Sequence, residues 1–185
     1  SPDAAYGGAL YGGGIMRLKH CVFLSNMGMM GTMGTTYGGA IYGTNLTVFN
    51  CLFAGNSVRR AGGYITSGGD GIYANGGVLQ VVQCTFADQV GEALRLGTAP
   101  TVLSVSNSIF WGNAADLMNF PKDAGAARGV VRCVIQSGEN NGTNGTFRAD
   151  PLFERGYFLA TGSPCRDAAY DNAADLALNE RTTST

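Results

Sequence analysis

The sequence predicts an all-β fold, a right-handed parallel β-helix of about five coils followed by a C-terminal cap region. The first observation is composition: 29 of the 185 residues are glycine, 45% are hydrophobic and 14% are charged, which favours a turn-dense fold with a core. The second is a two-part motif that recurs along the chain. The third is the alternation of apolar and polar residues within each copy, which is typical of strands.

Each copy of the motif begins with a glycine-rich stretch, which is followed by an apolar strand. The clearest copies read Tyr-Gly-Gly-Ala-Leu-Tyr at 6–11 and Tyr-Gly-Gly-Ala-Ile-Tyr at 37–42, and looser copies lie at 69–73 and 91–95. The second half has phenylalanine two positions after a cysteine or serine, and an amide three positions after that. Its copies begin at Cys21, Cys51, Cys84, Ser108 and, in a fading form, Cys133, so successive copies are 30, 33, 24 and 25 residues apart.

The two longer intervals contain extra residues. We predict insertions over 27–36 and 57–68, β-helix coils over 1–149, and a C-terminal cap or tail segment over 150–185. Because the repeat begins at Tyr6 with no capping segment before it, the chain is expected to be a fragment of a longer protein.

Aligning the copies sorts their residues into columns of one chemical character, as expected when coils stack about 4.8 Å apart in parallel sheets. Three apolar columns are predicted to face the core: Leu10, Ile41, Ile72, Leu94 and Leu117; Leu18, Val48, Val81, Val105 and Val130; Phe23, Phe53, Phe86, Phe110 and Ile135. Two polar columns are predicted, one an amide ladder at a corner (Asn26, Asn56, Gln89, Asn113) and one facing water (His20, Asn50, Gln83, Asn107, Arg132). The right-handed sense follows from the preference of parallel crossovers for that hand.

The cysteines show the same regularity. Cys21, Cys51, Cys84 and Cys133 share one column, which Ser108 completes, while Cys165 lies outside it. We predict a stack of small buried side chains with free thiols, because parallel side chains approach one another poorly for a disulfide. No cysteine and histidine set has zinc spacing, so neither a metal nor a cofactor is expected.

Several short motifs resemble those of known families. The Gly-Gly-Ala-[Leu/Ile] copies at 7–10 and 38–41, with Phe-x-x-Asn at 23–26, 53–56 and 110–113, resemble the repeats of chlamydial polymorphic outer-membrane proteins. The C-terminal part is similar to a wider group of bacterial surface β-helix proteins, through Asp-Pro-Leu-Phe at 150–153, Gly-Ser-Pro-Cys at 162–165 and Asp-Leu-x-x-Asn at 175–179. The resemblance implies a stalk that is secreted or displayed on the bacterial outer surface, often for adhesion.

Paired carboxylates are the candidate catalytic groups. Asp70 and Glu92 align at one position of adjacent coils, about 5 Å apart at Cα, a spacing that could suit a retaining glycosidase. Arg95 and Asp88 are further candidates, and a polysaccharide lyase or glycoside hydrolase is the alternative function. A solvated charged edge explains the pair as well, and His20 is the sole histidine, which leaves no Ser-His-Asp or Cys-His set. We therefore predict a non-enzymatic protein.

Tyr11, Tyr42 and Tyr73 form a predicted outward stripe that Arg95 extends. Tyrosine is favoured in interfaces, so we predict a structural and adhesive protein that displays its loops and this stripe to a host or matrix protein or a glycan. End-to-end self-association through exposed strand edges is a further expectation. The net charge of -1 gives no reason to expect nucleic acid, and no run approaches the ~20 apolar residues of a membrane span.

Overall fold

A computed structural model describes residues 4–30, 34–60, 68–120, 129–137 and 144–169. Over these ranges the chain is all-β without a helix, and its long strands pair in parallel in stacked sheets, an arrangement compatible with a β-helix or solenoid. Parts of both predicted insertions, 31–33 and 61–67, and the Asp-Leu-x-x-Asn motif at 175–179 lie outside the described residues.

The described residues form sixteen strands. They are β1 (Ala4–Tyr6), β2 (Leu10–Lys19), β3 (Val22–Leu24), β4 (Met27–Met30), β5 (Thr35–Tyr37), β6 (Ile41–Phe49), β7 (Leu52–Ala54), β8 (Ser57–Arg60), β9 (Ile72–Val82), β10 (Thr85–Ala87), β11 (Glu92–Leu96), β12 (Val102–Ser106), β13 (Ile109–Trp111), β14 (Ala115–Met118), β15 (Gly129–Val131) and β16 (Val134–Ile135).

The strands are distributed over four sheets. A seven-stranded sheet contains β2, β6, β9, β11, β12, β14 and β15, and a five-stranded sheet contains β3, β7, β10, β13 and β16. Two small sheets pair β1 with β5 and β4 with β8. All pairings between these strands are parallel, and each joins a strand to its counterpart in a neighbouring copy of the motif.

The strand register confirms the predicted apolar columns. In the five-stranded sheet, Phe53 pairs with Phe23 on one side and Phe86 on the other. The rings from Phe23 to Phe110 stack with centroids 4.8, 4.6 and 4.8 Å apart and interplanar angles of 8°, 2° and 4°. Stacked aromatic pairs contribute about 0.5–1.5 kcal/mol each beyond the area they bury, so this column stabilises the stacking of successive copies.

A fourth apolar column was not predicted. Met16, Leu46, Leu79 and Leu103 pair in register across β2, β6, β9 and β12. It begins after an irregularity in the long strands, where the pairing shifts between Gly12 and Ile15. Its members lie five residues before the cysteine or serine that opens the second half of each copy, so the sequence contained the signal for this column and it was missed.

The amide ladder at the corner is confirmed. Asn26 donates from its backbone nitrogen and from Nδ2 to Asn56 Oδ1, both at 2.9 Å. Asn56 then donates from its backbone to Gln89 Oε1 at 3.0 Å, and Gln89 likewise to Asn113 Oδ1 at 3.0 Å. Each amide oxygen thus satisfies a backbone N–H that the turn removes from the sheet.

The second polar column also lies at a corner, and we call it the corner column: His20, Asn50, Gln83, Asn107 and Arg132. All five residues have positive φ, at 53°, 47°, 52°, 51° and 48° respectively, in the left-handed region that asparagine tolerates best after glycine. The prediction that this column faces water holds for His20, Asn50 and Arg132. It is wrong for Gln83 and Asn107, which are half-buried, because further chain packs beside them.

The described parts of the predicted insertions contain strands β4, β5 and β8. β4 from the first pairs in parallel with β8 from the second, with Met27 opposite Ser57 and Gly28 opposite Val58. Val58 is buried. These parts of the insertions therefore stack on one another in the same way as the rest of the repeat.

The chain after β16 first adds to the stack, and the C-terminal segment then turns back along it. Phe147 bridges in parallel to Val134, beyond the last strand of the five-stranded sheet. Further on, Phe153 and Leu159 form an antiparallel bridge, and the Tyr157 hydroxyl donates to Asp88 Oδ2 at 3.0 Å. The segment thereby lies against the flank of copies that come much earlier in the chain.

Candidate functional site

The tyrosine stripe is broader than the sequence predicted. Tyr11, Tyr42 and Tyr73 pair in register on β2, β6 and β9, and their rings stack with centroids 5.5 Å apart at both steps. Tyr6 and Tyr37, on β1 and β5, form a second stack beside them at 5.7 Å. We call these five residues the tyrosine surface. Tyr6 and Tyr37 were missed, although both stand at the first position of the motif.

The two tyrosine stacks interlock. Tyr6 meets Tyr42, and Tyr37 meets Tyr73, each with centroids 4.7 Å apart and with the rings at 63° and 61°. Tyr42 is therefore in contact with rings on several sides and is half-buried, whereas Tyr11 is 63% exposed. A ligand meets mainly ring edges and hydroxyls here, rather than a row of open ring faces.

The hydroxyl of Tyr42 is oriented by its neighbours. Asn75 Nδ2 donates to it at 2.8 Å, and Thr98 Oγ1 donates to Asn75 Oδ1 at 3.2 Å. Burial raises the pKa of both Tyr42 and Tyr73 above the usual value for a phenol. Tyr42 and Tyr73 therefore stay uncharged at neutral pH.

Arg95 lies where the sequence predicted, directly opposite Tyr73 on the neighbouring strand. Its Nη1 is 2.8 Å from Glu92 Oε1 and 3.1 Å from Glu92 Oε2. Glu92 Oε2 also accepts from the backbone nitrogen of Gly69 at 3.0 Å. The guanidinium thus ends the tyrosine column as half of an ion pair.

Asp70 and Glu92 are adjacent as predicted, but they have separate partners. The backbone nitrogen of Asp70 donates to the Glu92 carbonyl at 2.6 Å, whereas Asp70 Oδ2 accepts from the backbone nitrogen of Gly91 at 2.6 Å. Asp70 is only 4% exposed. Burial, with the nearby charge of Glu92, raises the pKa of Asp70 to about 6, against the backbone hydrogen bonds from Gly91 and Val58 and the charge of Arg59.

Asp88, the fourth catalytic candidate, is at a corner with φ of 53°. It is exposed, and its carboxylate accepts the hydrogen bond from Tyr157. Asp88 therefore has a structural partner in the C-terminal segment, as Glu92 has one in Arg95.

The cysteine column is present with free thiols. Backbone nitrogens donate along it, from Cys21 to Cys51 Sγ at 3.4 Å and from Cys84 to Ser108 Oγ at 3.1 Å. Burial raises the pKa of Cys84 well above that of an ordinary thiol and raises that of Cys133 to about 12. In the part of the chain that the structure describes, no three His, Cys, Asp or Glu side chains cluster so as to hold a metal ion.

A groove that the sequence did not predict runs beside the corner column. It has a volume of about 290 Å³ and lies between His20, Asn50 and Gln83 on one side and Tyr157 and Phe158 on the other. We call it the flank groove. Its two walls are far apart in sequence, and no local motif connects them.

Comparisons of the chain with protein-family models, with curated proteins and with solved structures found no match. Among the residues that the structure describes there is no helix with the length and apolarity that a membrane crossing needs.

Proposed function

We propose that this chain is part of a right-handed parallel β-helix of about five coils, secreted or exposed on a bacterial surface, with a structural and adhesive role. The observation on which this depends is the tyrosine surface, five rings that interlock on one side of a regular stack and reach solvent at Tyr6 and Tyr11. The resemblance of the Gly-Gly-Ala and Phe-x-x-Asn motifs to those of surface β-helix proteins supports the same role.

The fold assignment is supported by the strand pairings. Strands from successive copies of the motif pair in parallel in both large sheets, and the connections between them pass through corners at fixed positions of each copy. Parallel crossovers of this kind are right-handed in nearly all proteins. Stacked aromatic and amide columns also resist sliding, so the stack provides a rigid support for a contact surface.

The tyrosine surface suits a protein partner or the hydroxyl groups of a glycan. Tyrosine has a large apolar ring and a polar tip, and it gains contact area at little cost in conformational entropy. The rings are already ordered by their neighbours, so binding a partner orders few further groups.

The test measures attachment. Beads coated with the purified protein are applied to immobilised fibronectin, laminin and collagen and to cultured epithelial cells. We expect the double variant Tyr6→Ser/Tyr11→Ser to lose most attachment, because its two substitutions remove the exposed rings. Gln80→Ser, an exposed substitution on the same sheet, is the matched control. Equal attachment of the tyrosine variant and wild type would contradict the proposal.

The placement of the carboxylates supports a non-enzymatic role over a polysaccharide lyase or glycoside hydrolase. Asp70 is buried against Gly91, and Glu92 is paired with Arg95, so neither carboxylate is free to act on a substrate. Polysaccharide cleavage that is present in wild type and lost in Asp70→Asn would restore the enzyme proposal.

End-to-end association is part of the same proposal. Within the described residues β2 pairs with β6 alone, and its core-facing Leu10 and Leu18 are half-buried rather than buried. An unpaired strand edge of this length is a template for a further strand. Sedimentation of a single monomeric species at high protein concentration would exclude this association.

A further inference from the structure

We propose that the flank groove binds one neutral saccharide unit. The tyrosine surface lies on strands of other sheets, so this site is separate from the proposed adhesive surface and does not depend on it. The inference comes from three properties of the groove: its polar wall, its aromatic wall and its lack of charge.

The polar wall belongs to the corner column. His20, Asn50 and Gln83 have left-handed backbone conformations at equivalent positions of successive copies, and their side chains line one groove. Asn50 Nδ2 is 2.9 Å from His20 Nδ1, so these two groups orient one another. The wall thus presents amide and imidazole groups in a row, about one strand spacing apart.

Gln83 supplies an acceptor that lacks a donor. Its Oε1 is buried and has no hydrogen-bond partner among the described residues. Buried polar atoms in native proteins are nearly always paired. Gln83 lines the groove, so a rotation of its side chain would bring this oxygen to the groove surface, where a ligand hydroxyl group can donate to it.

The aromatic wall is supplied by the C-terminal segment. Phe158 is 73% exposed at the groove, an unusual position for a ring of this size. Gly156 has φ of 81°, and a Cβ atom there would lie 3.3 Å from the Phe158 ring, so glycine lets the ring lie close to the backbone. The hydrogen bond from Tyr157 to Asp88 holds this wall against the sheet.

The size and charge of the groove select the ligand class. Its described lining contains no carboxylate, lysine or arginine, so an anionic sugar or a phosphate has no partner there. A volume of about 290 Å³ is at the lower end of ligand sites and suits one ring. An extended peptide would pair with a free strand edge, whereas the groove lies over the side of paired strands. A neutral sugar combines the hydroxyl donors and the apolar C–H face that the two walls require.

The experiment is saturation-transfer difference NMR on the whole chain with three separate probes: methyl β-glucoside, methyl β-galactoside and N-acetylglucosamine. We expect transfer to at least one probe. Phe158→Ala is expected to weaken its apparent affinity roughly tenfold. Gln83→Asn is expected to weaken it as well. Asparagine occupies the equivalent positions Asn50 and Asn107, so it fits the corner, but its shorter side chain moves the acceptor oxygen away from the ligand.

Ile15→Ala removes an exposed apolar side chain outside both the flank groove and the tyrosine surface; it is the matched control and is expected to leave transfer unchanged. Circular dichroism confirms that each variant is folded. The proposal is overturned if none of the three probes receives saturation, or if Phe158→Ala binds the probe as wild type does. Loss of transfer in Tyr11→Ala alone would overturn it too, and would assign sugar binding to the proposed adhesive surface instead.

Discussion

Asp70 places a buried carboxylate where the two earlier copies of the motif have Gly8 and Gly39. Its oxygen accepts the backbone hydrogen bond of Gly91, one copy further on. The substitution therefore adds a contact between copies, but it also takes an ionisable group out of water. The balance between these two effects depends on pH.

We expect Asp70→Asn to stabilise the protein at neutral pH. Burial raises the pKa of folded Asp70 to about 6, from 3.8, so the folded state binds this proton more tightly than the unfolded state. The resulting stabilisation is present below about pH 4 and is lost as the pH rises through about 6. Two pKa units correspond to roughly 3 kcal/mol. The asparagine side chain can still accept the hydrogen bond from Gly91. The free energy of unfolding of the variant should therefore exceed that of wild type by about this amount above pH 7, and the two should be equal near pH 4.

Urea unfolding across this pH range measures the difference. Asp150→Asn, an aspartate substitution at an exposed position, is the matched control, and its unfolding free energy should vary with pH as that of wild type does. If the unfolding free energy of Asp70→Asn also varies with pH as that of wild type does, the surroundings of Asp70 do not favour its protonated form.

The cysteines should differ in reactivity because they differ in burial. Cys51, Cys84 and Cys133 are buried, whereas Cys21 and Cys165 are half-buried. The thiolate is the reactive form, and burial disfavours it in Cys84 and Cys133. N-ethylmaleimide followed by mass spectrometry should label the more accessible Cys21 and Cys165 in the native protein, although partial burial raises their pKa too, and should label Cys84 and Cys133 only after unfolding. The hydrogen bond with Cys84 lowers the pKa of Cys51 to about 7, so Cys51 should react before Cys84 and Cys133. Rapid native labelling of Cys84 would contradict the buried column.

Asn56 is the inner element of the amide ladder and is fully buried. It accepts two hydrogen bonds from Asn26 and donates to the Phe23 carbonyl at 3.1 Å. Asn56→Ala leaves these groups without partners, and each unsatisfied buried group costs about 1–3 kcal/mol. We expect thermal and urea unfolding to show a loss of at least 2 kcal/mol.

Asn26→Ala is the control for the ladder, because Asn26 is half-buried and ends the row. Its side chain donates a hydrogen bond to Asn56, so its loss removes a donor from the ladder. We expect it to cost less than half as much as Asn56→Ala. Equal effects of the two substitutions would mean that position along the ladder does not matter.

At the scale of the strands, the sequence predicted most of the register but not the places where chain segments meet. The columns of Phe53, Val48 and Asn56 were predictable because one residue type recurs at a fixed offset from the motif. The column through Met16 lies at an equally fixed offset, five residues before the cysteine or serine of each copy, so it was predictable in the same way and was missed. The contact of Asp88 with Tyr157 spans 69 residues, and nothing local in the sequence indicates it.

On the scale of the whole molecule, the repeat provides two unlike surfaces. The tyrosine surface lies beside the glycine-rich stretch that begins each copy of the motif. The flank groove lies at the corner that precedes the five-stranded sheet. The first is built by neighbouring copies alone. The flank groove requires the C-terminal segment to fold back on earlier copies. It therefore forms only when a few contacts between residues far apart in the sequence are in place.

Tyr157 provides one of these contacts, and its removal should loosen the segment without unfolding the stack. Burial and the charge of Asp88 raise the pKa of the Tyr157 hydroxyl, so it remains a donor above neutral pH. In Tyr157→Phe this hydrogen bond is lost, whereas the strand pairings are untouched. Local opening governs proteolysis of such segments, so trypsin should cleave after the exposed Arg155 or Arg166 several-fold faster than in wild type.

Tyr11→Phe is the control, because it leaves the C-terminal segment unaltered. It should be cleaved at the wild-type rate, and the urea midpoint should be the same in all three proteins. Cleavage of Tyr157→Phe at the wild-type rate would show that the segment is held by its apolar packing and not by the contact with Asp88.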